Sequence, residues 1–114
     1  MKKIEALIRN SKLYPVKDAL EEIGIKGMTV YEVKGLGIQK GQTTSGGRPG
    51  SFSGSELNPK TKIEIVCNDS DVDKIMTTLS NAAKTGNVGD GKIFVYAIDD
   101  SMRIRTGEKG SDAV

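Results

Sequence analysis

A chain of 114 residues with 36% apolar and 4% aromatic residues has room for one modest core, so residues 1–114 are expected to form a single domain. Seventeen basic against fifteen acidic residues leave a charge of +2, without the strong basic stripe of a general nucleic-acid binder. There is no histidine and Cys67 is the only cysteine, which excludes a His-based triad, a zinc site and a disulfide framework within the chain. Glu5 and Arg9 interrupt the N-terminus where a signal peptide needs an apolar run. No stretch approaches the ~18 apolar residues of a membrane span, so a cytoplasmic location without membrane insertion is expected.

From Lys3 to Arg9 the chain alternates as a strand, with Ile4, Ala6 and Ile8 on one face. Tyr14-Pro15 opens a helix with Pro15 at its first position; Val16, Ala19, Leu20 and Ile23 follow at helical spacing, and Gly24 is the stop. Met28 to Leu36 reads as a second strand, rich in β-formers. Seven of the fourteen glycines then fall between Gly35 and Gly54, in a segment too poor in apolar groups to order itself. Lys62 to Cys67 is a third strand, and Asn68-Asp69-Ser70-Asp71 supplies capping residues. Val72, Ile75, Met76, Leu79, Ala82 and Ala83 make a full helical stripe, and Lys92 to Ile98 is the last main strand. Met102 to Arg105 reads as a short extended segment within a C-terminal stretch, 102–114.

This β-α-β, loop, β-α-β order predicts an α+β fold: the ferredoxin-like βαββαβ sandwich, with two helices on one face of an antiparallel sheet. Each half is too small to stand alone, so residues 37–59 form a long loop inside one domain. Leu7, Val66, Phe94 and Tyr96 alternate away from the helix-facing residues. Two helices cannot cover both faces, so this largely apolar second face is expected to meet another subunit.

The densest chemical signal is the turn at 84–92, Lys84-Thr85-Gly86-Asn87-Val88-Gly89-Asp90-Gly91-Lys92. It fits G-x-x-x-x-G-K but not a Walker loop, because Ile93 replaces the magnesium-binding Ser or Thr and a strand follows, not a helix. Closely spaced glycines still let backbone N–H groups converge on an anion, with Lys92 adding charge; an ordinary helix-to-strand turn is the plain alternative. Arg103-Ile104-Arg105 sets two guanidinium groups on one side of an extended segment, an arrangement suited to phosphate. The third strand lacks the aromatic platform of an RNA-recognition domain, and no nucleic-acid partner is expected. Asp69, Asp71 and Asp73 lack calcium-loop spacing, and Cys67 alternates with Ile63 and Ile65 as a buried small group. Nothing resembles a general acid/base pair, and no catalytic or metal-binding residue is assigned.

Several ordered segments resemble the PII signal-transduction family from Met1 to about Gly110. They include Gly27-Met28-Thr29-Val30, Glu32-Val33-Lys34-Gly35-Leu36-Gly37-Ile38-Gln39-Lys40-Gly41 and Pro59-Lys60-Thr61-Lys62-Ile63-Glu64-Ile65-Val66. Gly89-Asp90-Gly91-Lys92-Ile93-Phe94-Val95 and Arg103-Ile104-Arg105-Thr106-Gly107-Glu108 complete the match.

The resemblance implies a homotrimer with ATP or ADP in each cleft between subunits, magnesium accompanying ATP. It sets the phosphates on the segment Gly89, Asp90, Gly91 and Lys92, with Arg103 and Arg105 reaching across from the neighbour. Gly27, Met28 and Thr29 face the adenine. Gly37, Gln39 and Lys60 complete the site at the base of the loop, and Glu64 and Val66 line the nucleoside side. The long loop departs from the family: it has no tyrosine between Leu36 and Lys60, and Ile38 stands where the family commonly has Arg. The resulting expectation is a non-enzymatic signalling protein that reports adenylate state to a protein partner, a transporter or metabolic enzyme, through the 37–59 loop. The alternatives are a standard nitrogen-regulatory PII protein that also senses 2-oxoglutarate, and, in another class, a small ATPase or acylphosphatase-like hydrolase. The last would need an anion turn after the first strand, where Asn10-Ser11-Lys12 has no glycine.

Overall fold

The computed structural model describes residues 1–37 and 57–114; Ile38, Gln39 and most of the 37–59 loop lie outside them. Alternating apolar residues build β1 (Lys2–Ile8), with Ile4, Ala6 and Ile8 buried and the intervening side chains on the opposite face. A 3-10 turn at Asn10–Lys12 leads into α1 (Leu13–Glu22). The helix begins before Pro15, which occupies its third position and not its first. The tolerance has the same cause: no N–H of the first turn has an intrahelical acceptor. At the other end Gly24, at φ +92°, closes a Schellman motif, its N–H donating to Glu21 O at 3.0 Å and that of Ile25 to Leu20 O at 3.0 Å.

The remaining elements are β2 (Thr29–Gly35), β3 (Asn58–Cys67), α2 (Val72–Ala83) and β4 (Lys92–Ala97). They complete an antiparallel sheet in the order β2-β3-β1-β4, with both helices on one face: the ferredoxin-like sandwich. One core draws on both halves, joining Ile4, Ile8, Val16 and Leu20 to Ile63, Ile75 and Leu79. Ile75, Leu79 and Ala83 recur every four residues along α2 and form its buried stripe.

Three local expectations are corrected. Strand β3 begins four residues before Lys62, because β2 pairs with it along Asn58–Lys60 and because Thr61 is buried, its Oγ1 donating to Asn10 Oδ1 at 2.7 Å. The Asn68–Asp71 side chains do not cap α2. Asp69–Asp71 form a 3-10 turn, and Asp69 turns to the Met1 ammonium at 2.9 Å. The 102–105 segment is not extended throughout. Met102 bridges Lys109, while Ile104–Thr106 turn and Gly107 N–H closes on Arg103 O at 2.8 Å.

The sheet face away from the helices is also less apolar than the sequence suggests. Val66, Phe94 and Tyr96 are exposed there and Leu7 half-buried, but the centre holds Lys3, Glu5, Lys62 and Glu64. Lys62 reaches Glu5 at 3.4 Å and Glu64 at 3.6 Å, and Lys3 reaches Glu64 at 3.7 Å. Tyr31 donates to Glu64 at 3.1 Å and Tyr96 to Glu5, while Lys62 and Lys3 stand over the rings of Tyr31 and Tyr96. The Tyr96 hydrogen bond, with Lys62 next in effect, holds Glu5 below the usual carboxylate range.

Candidate functional site: a glycine loop before the edge strand

The loop between α2 and β4 is tied to itself and to two other parts of the fold, the end of β1 and strand β3. Asp90 accepts from the Thr85 hydroxyl, from Thr85 N–H and Gly86 N–H at 2.9 Å each, and from Arg9 Nε at 3.0 Å. The two Thr85 donors lead in holding this carboxyl well below the usual range, and Arg9 and Gly86 add to them. Arg9 also donates through Nη2 to Val88 O at 2.7 Å, and Lys60 donates to Gly89 O at 2.7 Å. Burial, helped by the nearby Arg9 charge, pushes the Lys60 ammonium below its ordinary pKa.

Gly91, at φ +104°, presses directly on β1: a Cβ there would lie 1.7 Å from the Leu7 carbonyl oxygen. Among the described residues, no partner meets the N–H groups of Val88, Gly89, Asp90 or Gly91. Four consecutive donors without a described partner, with positive φ at Gly89 and Gly91, are chemically suited to an anion. Beside it lies a cavity of about 330 Å³, lined among others by Leu7, Leu79, Ala83, Asp90, Gly91 and Lys92.

The structure divides the sequence-predicted residues into separate groups. Lys60, Gly89, Asp90, Gly91 and Lys92 come together at the end of the sheet marked by Ile8 and Arg9. Thr29 is the register partner of Glu64, with Val66 two residues on and Gly27 and Met28 just before β2. These lie roughly 13 Å further along β3 than Lys60, at ~3.3 Å per residue. The segment that carries Arg103 and Arg105 starts from the opposite end. Ser101 contacts Met1 Sδ at 3.2 Å, and Arg103 is held in its turn by Glu108. Gly37 ends the described part before the long loop, and Gln39 lies outside it.

Arg9 and Thr85 were not singled out from the sequence as site residues. Arg9 stands at the end of a strand, 81 residues from Asp90, and only the order β3-β1-β4 brings them together. The short i, i+5 spacing of Thr85 and Asp90 around Gly86 was the one local signal available. The Asp90 carboxylate faces its own loop, and its N–H has no partner among the described residues. Cys67 is buried as expected, and burial pushes its thiol pKa up.

The fold and loop thus define a class: a ferredoxin-like α+β sandwich with a glycine turn leading into its edge strand. A family model described as Nitrogen regulatory protein P-II matches residues 1–108. The chain is 51% identical over 118 residues to the nitrogen regulatory protein P-II of Rhodospirillum rubrum, covering all of both chains. It is 54% identical to nitrogen regulatory protein P-II 2 of Methanothermobacter thermautotrophicus, covering all of this chain and 97% of that one. Among solved structures it resembles Arabidopsis thaliana PII bound to citrate, with a TM-score of 0.80 and 36% identity over 99% of this chain and 91% of that one. The chain belongs to the P-II family of nitrogen regulatory signal-transduction proteins.

Proposed function

We propose that this chain is a trimeric, non-enzymatic P-II signalling protein that binds ATP or ADP between subunits and regulates a protein partner according to adenylate state. One observation carries the reading: within a chain, the Val88–Gly91 loop is held at the Arg9 end of β1, while Ser101, at the base of the turn that bears Arg103 and Arg105, contacts Met1 at the other end. A guanidinium pair so far from the loop in its own chain serves a phosphate there only when a second copy supplies it. The glycine loop and Lys92 then take the phosphates, and the neighbour's Gly27–Thr29 segment, with Glu64 and Val66, faces the nucleoside. Family membership supports nitrogen regulation as the setting and a cytoplasmic location.

Calorimetry with ADP tests the site. Lys92→Ala removes a charge-assisted contact worth about 1.5–3 kcal/mol, so affinity should fall roughly ten- to hundred-fold. Unchanged affinity in that variant would withdraw the assignment. A turnover assay with ATP should show no hydrolysis, and steady phosphate release by the purified protein would favour the enzyme reading.

A further inference from the structure

Two cations stand behind the glycine loop. Arg9 Nη2 holds the Val88 carbonyl and Lys60 Nζ the Gly89 carbonyl, each at 2.7 Å. A trans peptide is planar, so the C=O of one residue and the N–H of the next point in opposite directions. Drawing the Val88 and Gly89 carbonyls toward Arg9 and Lys60 therefore turns the N–H groups of Gly89 and Asp90 away from both cations. Those two N–H groups lie in the middle of the four that lack a partner among the described residues. The neighbouring amides differ, since Thr85 and Gly86 N–H are taken by Asp90 and Asn87 N–H by the Thr85 hydroxyl. Arg9 is further committed through Nε to Asp90. Each cation thus spends a donor on a loop carbonyl, on the side of the peptide planes away from those N–H groups.

We propose that Arg9 and Lys60 are positioning residues: they act on a bound phosphate through the loop backbone, by setting the two peptide planes whose N–H groups face it. The inference rests on the reading of this loop as a nucleotide-phosphate site. It gives Lys60 a place behind the glycine loop; the family resemblance implies only that it completes the site at the base of the long loop. Asp90 fits the same scheme, for a carboxylate in an anion site is tolerable when its oxygens are taken up by Thr85, Gly86 and Arg9.

The test compares Lys60→Met, Lys60→Gln, Arg9→Lys and Lys92→Met with the wild-type chain. Calorimetry gives the ADP affinity, and amide nitrogen–proton NMR reports Gly89 and Asp90 in the ligand-free protein. Lys60→Met should weaken ADP binding about tenfold and displace or broaden both amide signals. Lys60→Gln is neutral but still a donor, and should recover part of the affinity together with the signals. Arg9→Lys keeps the charge but not the two-donor geometry, and should displace the Gly89 signal. Lys92→Met should lose affinity with both ligand-free signals in place. Affinity lost in Lys60→Met with unmoved signals would make Lys60 a direct ligand and overturn the proposal, as would unchanged affinity. A wild-type chain that binds no ADP would overturn the nucleotide reading as well. That failure is distinct, because it shows before any variant is compared.

Discussion

Gly91 has no room for a side chain. Its added Cβ would meet the Leu7 carbonyl oxygen at 1.7 Å and the carbonyl carbon at 2.8 Å, both backbone atoms of a central strand. Gly86 has an equally unfavourable φ of +88° but open space around it. Gly86→Ala should therefore cost about 1–3 kcal/mol of backbone strain, and Gly91→Ala clearly more, because β1 must also move. Urea unfolding of the two variants checks the order. Asp90 offers a second test, through pH. A carboxylate whose folded pKa lies below its unfolded value, near 3.8, adds stability above that value and loses it as pH falls through the folded one. Asp90→Asn should therefore lower the melting temperature at pH 7, with the gap to wild type narrowing as pH drops below about 4. A gap independent of pH would mean that the charge of Asp90 does not hold the loop.

At the scale of elements, α2 serves both core and loop. Leu79 is fully buried in the core and also lines the cavity beside Gly91 and Lys92. Leu79→Ala should destabilise the fold by about 2–5 kcal/mol, measurable by urea titration. The cavity it enlarges adjoins the proposed phosphate loop, so ADP affinity should fall with stability. In Val16→Ala the substituted residue is buried in α1 and does not line that cavity, so stability alone should fall. Strand β3 has a comparable double role. Thr61 ties it to Asn10 just after β1, and the adjacent Lys60 holds Gly89. One stretch of backbone thus fixes the sheet and leads out to the long loop.

For the whole molecule, the proposed trimer would cover the exposed sheet face with a second and third copy. Phe94, Tyr96 and Val66 supply apolar area. Lys3, Glu5, Lys62 and Glu64 are already paired among themselves and sum to zero charge, so covering them does not strand an isolated ion. On the trimeric reading, light scattering should give about three times the 12.2 kDa chain mass. Phe94→Glu adds an unpaired charge beside Glu5 and should shift the population toward monomer and weaken ADP binding in parallel. A clean wild-type monomer at micromolar concentration would remove both the trimer and the shared site.

Element types were legible in the sequence because each is a local pattern. The period-2 run Ile4-Ala6-Ile8, the four-residue stripe Ile75-Leu79-Ala83 and the stop at Gly24 express backbone geometry directly. The glycine turn was legible for the same reason, and the order of elements implied the sandwich. Boundaries set by pairing were not: β3 starts at Asn58 because β2 lies alongside, though Lys60-Thr61-Lys62 reads as polar. Nor could alternation along one strand show that Lys3, Glu5, Lys62 and Glu64 share a face and neutralise one another across two strands. The same holds for the loop. Residues 84–92 alone showed a glycine-rich turn suited to an anion or to a plain helix-to-strand connection, but the hands that hold it, Arg9 and Lys60, come from 79 and 29 residues away. Contacts at that separation are decided by sheet order, which brings β1 and β3 to the back of the loop and leaves the N–H groups of Val88–Gly91 without a partner among the described residues.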